Sequence, residues 1–255
     1  MGKRNGGLIK AINVHKKNLK RKRKESVIQP KKKTTYRYKL QVKEDEKVLF
    51  IGEGNFSFAL SLADKIHRAD SFVCTAFDSK SITVEKYPES AENIQALEDM
   101  EGQVLFEVDG SKLTKDSRLK QKKFDYIIFN FPHVGLGIKD QDQNILANQT
   151  LLGAFFLEST NFLTSESNGD NQDGQIVVTL KSGLPYDLWD VKQIAKDAGY
   201  VLDRSCEFKP DDFPGYAHRR TIGFDKKVSN PDNMEITKKP SRMYIFKIFK
   251  ETTDP

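Results

Sequence analysis

From residue 47 onward the chain repeats one pattern: a short run of consecutive apolar residues, then a helix-like stretch, then another run. The runs lie at 48–51 (VLFI), 72–77 (FVCTAF), 104–108 (VLFEV), 126–129 (YIIF) and 176–180 (IVVTL). A strand with one wet face alternates apolar and polar residues. Runs that are apolar at successive positions therefore predict strands covered on both faces, as in a parallel sheet. Helix-like stretches fall between them at 57–67, 89–100, part of 111–121 and 144–163, the last with Leu146, Thr150, Leu151, Ala154, Phe155, Leu157 and Phe162 on or near one stripe. Strand–helix–strand alternation wound by right-handed crossovers predicts one open α/β domain. A helix over 187–198 closed by Gly199 follows the fifth run, and two late strands, 200–207 and 243–249, flank a loop of some 35 residues. The expectation is a mostly parallel sheet of seven strands whose ending departs from the plain dinucleotide fold. The polar segment 165–174 reads as a mobile, dispensable loop.

Charge divides the chain. Residues 1–43 hold 16 Lys and Arg against one acid, Glu25, a local net of +15, while the remaining 212 carry −9. So basic a segment, with few large apolar side chains, cannot bury enough surface to offset its ordering entropy. Residues 1–43 are expected to be a disordered arm and 44–255 the folded domain. The densest cations, Lys16-Lys17 and Lys20 to Lys24, then Lys31 to Lys33, suit nuclear import, a clamp on nucleic-acid phosphates, or both. Neutralising about six phosphates gives log K a slope near −5 against log[salt]. Two cysteines exclude a disulfide scaffold and an all-cysteine zinc site, and four histidines without paired spacing form no metal cluster. No run reaches the roughly 18 apolar residues of a membrane span, and no secretory leader is read at the start.

The first apolar run enters Gly52-Glu53-Gly54-Asn55-Phe56-Ser57 and then a helix. Gly52 and Gly54 permit torsions and close approach that a side chain blocks, and a ligand there meets free N–H groups at the helix start. The dinucleotide fingerprint wants a third glycine where Ser57 stands and no acid beside a pyrophosphate, yet Glu53 lies in the loop. No Gly-Lys-Ser/Thr follows to make a P-loop. S-adenosylmethionine has no phosphate and carries an ammonium and a sulfonium, so an acidic loop suits it. Asp78, ending the second strand, is placed for ribose hydroxyls, and Asp109, ending the third, for an adenine amine. The competing role of each aspartate is a helix cap or turn.

The fourth strand runs into Asn130-Phe131-Pro132-His133, beside the crevice where open α/β sheets bind ligands. It is similar to the Asp/Asn-Pro-Pro-Tyr/Phe motif of methyltransferases acting on nucleobase nitrogen, with Phe131 at the first proline's place and His133 at the aromatic's. Those departures turn the reading from an exocyclic amine to a ring imide such as uridine N3. Asn130 is then the donor to a uracil carbonyl, and His133 accepts the proton or stacks. At the same sheet edge Lys181 is a candidate for a phosphate or imide anion, Tyr186 for stacking, and Trp189 for a core anchor. Tyr216, His218, Arg219 and Arg220 in the long loop mix aromatic and cationic groups as RNA surfaces do.

Four blocks together, GEGNFSF at 52–58, NFPHVG at 130–135, Asn148-Gln149 leading Leu151-Leu152 and Phe155-Phe156, and PGYAHRRT at 214–221, resemble the fungal 25S (large-subunit) ribosomal RNA uridine-N3 methyltransferases. The resemblance spans roughly 45–250. It implies a Rossmann-like sheet, S-adenosylmethionine as methyl donor, a uridine of large-subunit rRNA or of a pre-ribosomal particle as acceptor, and a nuclear, nucleolar location. The usual methyltransferase acid two residues before the first glycine is Phe50 here, so Glu53 takes over the methionine ammonium. The expected site is thus Gly52, Glu53, Gly54, Asn55, Phe56, Ser57, Asp78 and Asp109 for cofactor, Asn130, Pro132 and His133 for chemistry, and Lys181 with the long-loop residues for RNA, in a monomer. Competing readings are a non-catalytic assembly factor on the same scaffold and a methyltransferase of another RNA.

Overall fold

The computed structural model describes residues 40–166, 169, 172–221 and 240–250. Seven strands form one sheet: β1 Val48–Ile51, β2 Phe72–Thr75, β3 Gln103–Leu105, β4 Tyr126–Asn130, β5 Gln175–Lys181, β6 Tyr200–Phe208 and β7 Ser241–Ile248. Their order is β3-β2-β1-β4-β5-β7-β6. β1 to β5 pair in parallel, and β7 runs antiparallel between β5 and β6. This is the Rossmann-like sheet expected, with the reversed strand accounting for its unusual ending.

Successive residues of one strand enter different cores, which explains the continuous apolar runs. Val48 and Phe50 pack with Phe58, Leu62, Ile94 and Leu97 on one face. Leu49 and Ile51 pack with Phe155, Phe156 and Val191 on the other. The helices supplying these layers are α1 Ser57–Ile66, α2 Lys80–Lys86, α3 Ser90–Asp99, α4 Gln141–Ser159 and α5 Val191–Asp197. α4 starts three residues before the expected boundary because the Asp140 carboxylate accepts from the Gln143 N–H at 2.8 Å, an N-cap. Sequence periodicity missed α2, which is too short to show a period. Its start is marked by Ser79, whose hydroxyl accepts from the Ile82 N–H, and its end by the Tyr87-Pro88 step.

Three expectations change. The stretch 111–121 is two 3-10 turns, Leu113–Lys115 and Ser117–Leu119, and the helix expected over 187–198 begins at Val191, after a 3-10 turn Tyr186–Trp189. Leu40 and Val42 are buried in the core, so the folded body has begun by residue 40, not 44: the charge pattern could not show that two apolar side chains among the last cations pack down. The rest of the basic arm, residues 1–39, lies outside the described residues. So do 167, 168, 170 and 171 of the polar loop. Its described ends are tied, Gly174 N–H to the Thr164 carbonyl at 2.9 Å and Gln172 to Glu46 at 3.1 Å. Among the described residues no helix is long and apolar enough to cross a membrane.

Phe156 is fully buried, its ring 5.2–5.6 Å from those of Phe155, Tyr200 and Phe246. Phe156→Ala removes a joint between α4 and the late strands. It should lower unfolding free energy by about 3–5 kcal/mol in urea titrations followed by Trp189 fluorescence.

Candidate active site

The crossover direction reverses between β1 and β4, and a cavity of about 830 Å³ opens there at the carboxyl ends of the strands. Its walls are Gly52 to Asn55 after β1, Ala76 to Asp78 after β2, Val108 to Gly110 after β3, Asn130, Phe131 and His133 to Leu136 after β4, and Tyr216 to Arg219 with Thr221 from the late loop.

Gly52 has φ +65°, and a Cβ there would stand 2.8 Å from the Phe129 ring, so only glycine fits without displacement. A Cβ on Gly54 would touch Tyr87 at 3.3 Å. Between them Glu53 is 8 % exposed, and its carboxylate reaches the Ala59 N–H at the start of α1 at 3.4 Å. Burial pushes its pKa from 4.5 up to about 7, against the backbone N–H groups of Ala59 and Phe58, which favour the anion.

Asn55 and Ser57, expected on the cofactor, are used inside the protein. The Asn55 amide donates to the Ala217 carbonyl and to Glu89, each at 3.0 Å, and its oxygen accepts from the Ser57 hydroxyl at 2.8 Å. The Ala217 N–H donates to the Ser57 hydroxyl at 2.9 Å. Ser57 and Phe56 lie off the cavity, Phe56 as a buried core ring against Phe106. The first and last motif blocks thus meet through this knot, and the late loop becomes a cavity wall.

That placement puts Tyr216, His218 and Arg219, candidates for RNA contact, in the cavity wall and in bonds within the protein. Arg219 pairs with Glu89 at 2.5 Å, with its side chain 12 % exposed, and Tyr87 donates to the Arg220 carbonyl at 2.7 Å. Burial pushes the Glu89 carboxyl up, but the Asn55 amide and Arg219 outweigh it and hold the group below its ordinary value. Tyr216 bonds His218 at 3.1 Å, and the His218 ring lies 4.6 Å from that of Phe131. Arg220 and Lys181 lie outside the cavity lining.

Asp78 and Asp109 face the cavity from loops just past the ends of β2 and β3, each beside a lysine: Lys86 to Asp78 at 2.7 Å and Lys112 to Asp109 at 2.9 Å. Asp109 also takes the Ser111 N–H at 2.9 Å, the turn role weighed for it. Lys86 and Tyr87, which also line the cavity, were not legible as site residues because they lie at the end of the missed helix α2.

After β4 the chain turns at Phe131, φ +50°, and buries Pro132, which is not among the residues that line the cavity. Val134 N–H donates to the buried Asn148 at 3.0 Å, which ties this loop to α4 and accounts for the third motif block. The Asn130 Oδ1 accepts from the Thr179 hydroxyl at 2.6 Å, while its Nδ2 is buried with no partner. Such an orphan donor costs about 1–3 kcal/mol, a penalty that ligand contact would relieve. The His133 Nδ1 accepts from the Gly135 N–H at 2.9 Å, and its pKa is lowered by burial first and then by the charge of Lys181. Trp189 is buried, as a core anchor should be. Among the described residues no three His, Cys, Asp or Glu side chains gather as a metal requires.

A family model described as "rRNA (uridine-N3-)-methyltransferase BTM5-like" matches residues 49–220, a span that contains the glycine loop, the β4 motif and most of the late-loop wall. The chain is 33 % identical over 250 residues to the Saccharomyces cerevisiae "25S rRNA (uridine(2634)-N(3))-methyltransferase", covering 80 % of this chain and 73 % of that one. It is 31 % identical over 180 residues to an uncharacterized Arabidopsis thaliana protein, covering 69 % and 83 %. The mouse "Ferredoxin-fold anticodon-binding domain-containing protein 1 homolog" is 32 % identical over 181 residues, 67 % of this chain but 27 % of that longer protein. With this match across the cavity-forming segments, the chain belongs to the BMT5-like family of rRNA (uridine-N3-)-methyltransferases.

Proposed function

We propose that this chain transfers the methyl group of S-adenosylmethionine to N3 of a uridine in large-subunit rRNA, in the nucleolus, with the basic arm serving import and RNA attachment. The observation that carries the reading is the cavity itself, which joins an acidic glycine loop to the Asn130-Phe131-Pro132-His133 turn in one space. The residues fit this cofactor: the glycine cradle leaves room that a side chain at Gly54 would fill, and the buried acid beside it is Glu53. When bound, S-adenosylmethionine supplies an electrophilic methyl on a cationic sulfur. Glu53 holds the ammonium, and Asp78, oriented by Lys86, accepts from the ribose. Asn130 and His133 hold the uracil and align its nitrogen with the methyl. A paired uridine hides N3, so the target is unpaired or flipped out.

Purified protein, S-adenosylmethionine labelled in the methyl, and large-subunit rRNA from cells lacking the chain should give label in N3-methyluridine. Gly54→Arg should abolish it. Label in another nucleoside, or none, contradicts the proposal. Glu53 adds a pH test with a definite sign. Its folded-state value of about 7 exceeds the ordinary 4.5, so the native state holds the proton more tightly. Stability of the free protein should therefore fall by about 3 kcal/mol as pH rises from 4.5 through 7, and Glu53→Gln should remove that slope. A bound cation favours the anion instead. Cofactor affinity measured by calorimetry should weaken by up to about tenfold per unit as pH falls below 7, and Glu53→Gln should flatten the profile.

A further inference from the structure

Three details at the end of β4 and β5 bear on how a base is read. The Thr179 hydroxyl, on a fully buried residue of β5, donates to the Asn130 Oδ1 at 2.6 Å. With the hydroxyl as donor, the Oδ1 edge of the amide is taken and the Nδ2 edge is left buried without a partner, on a residue that lines the cavity. The third detail is the tautomer of His133. Its Nδ1 accepts the Gly135 N–H at 2.9 Å and so carries no proton, which places the single proton of the neutral ring on Nε2. Lys181, a fixed positive charge at the end of β5, further disfavours a second proton on this ring. The ring therefore presents a donor and no basic lone pair.

Uracil offers an acceptor on each side of N3, its two carbonyl oxygens, and these carry much of the negative charge once the N3 proton is gone. Cytosine places a donor amine at one of those positions. We infer that Thr179 locks the Asn130 amide so that its N–H edge and the Nε2–H of His133 together read the two uracil carbonyls and hold the N3 anion, with His133 acting as donor and not as base. The inference rests on the proposed methyl transfer. In the step, the N–H pair stays on N3 as the proton leaves to water. That pair forms the N3–methyl bond, and the methyl–sulfur pair returns to sulfur as the sulfonium becomes a thioether. A cytosine amine would meet a donor where uracil offers an acceptor, and be refused. Thr179 is then a positioning residue, and Asn130 and His133 are catalytic.

The test is single-turnover and steady-state transfer to large-subunit rRNA with the full chain and four variants, each first checked for wild-type cofactor affinity. Donors that act on the developing anion affect kcat more than KM. Thr179→Val should lower kcat about tenfold with KM within about twofold, and Thr179→Ser, which keeps the hydroxyl, should return it to within about threefold. His133→Ala should lose about a hundredfold, as for one donor to an oxyanion, while His133→Gln, which keeps an N–H, should lose no more than about tenfold. Equal activity of Thr179→Val and wild type, or Thr179→Ser as weak as Thr179→Val, overturns the lock. His133→Gln as inactive as His133→Ala makes the ring a base and overturns the donor role. Absence of N3-methyluridine with the wild-type chain instead removes the function on which the inference stands.

Discussion

The buried amide of Asn55 uses both of its ends, donating to Ala217 and Glu89 and accepting from Ser57, and the cavity depends on that knot. Each hydrogen bond contributes about 0.5–1.5 kcal/mol, but a buried polar group left unpaired costs about 1–3, so the set stands or falls together. With it, the late loop lies across the carboxyl ends of the strands, and Arg219 can reach Glu89. Without it, the glycine loop would form half a site. The knot explains why two motif blocks some 160 residues apart belong to one chemistry.

Electrostatics in the cavity are arranged before any ligand arrives. Asp78 and Asp109 each sit beside a lysine, and Glu89 beside an arginine, so these acids are paired and directed. Glu53 alone among these acids is deeply buried without a cationic side chain bonded to it, and burial raises its pKa to about 7. The charge it lacks is the one that a methionine ammonium brings. At the other end of the same space stand the polar side chains of Asn130 and His133.

Much of the fold was legible because burial on both faces of a parallel sheet leaves a mark in sequence: VLFI and YIIF are apolar at every position, and Val48 and Leu49 do enter opposite cores. The glycine loop was legible because Gly52 answers to a backbone constraint. What sequence could not show was partnership. Asn55, Ser57 and Arg219 have the right chemistry for a ligand, yet residues distant in sequence take up their hydrogen bonds. Thr179 looked like one more strand residue, since nothing in IVVTL says that its hydroxyl meets Asn130. Helix α2 was hidden by its seven-residue length, and with it Tyr87.

The central claim, that this cavity places a uridine N3 against a methyl donor, is tested most directly in cells. Large-subunit rRNA would be purified from cells with and without the chain, and N3-methyluridine quantified by mass spectrometry and mapped to its position. The account predicts that this nucleoside disappears from one position on deletion, returns with the wild-type chain and does not return with Gly54→Arg. An unchanged level of N3-methyluridine in the absence of the chain would contradict it.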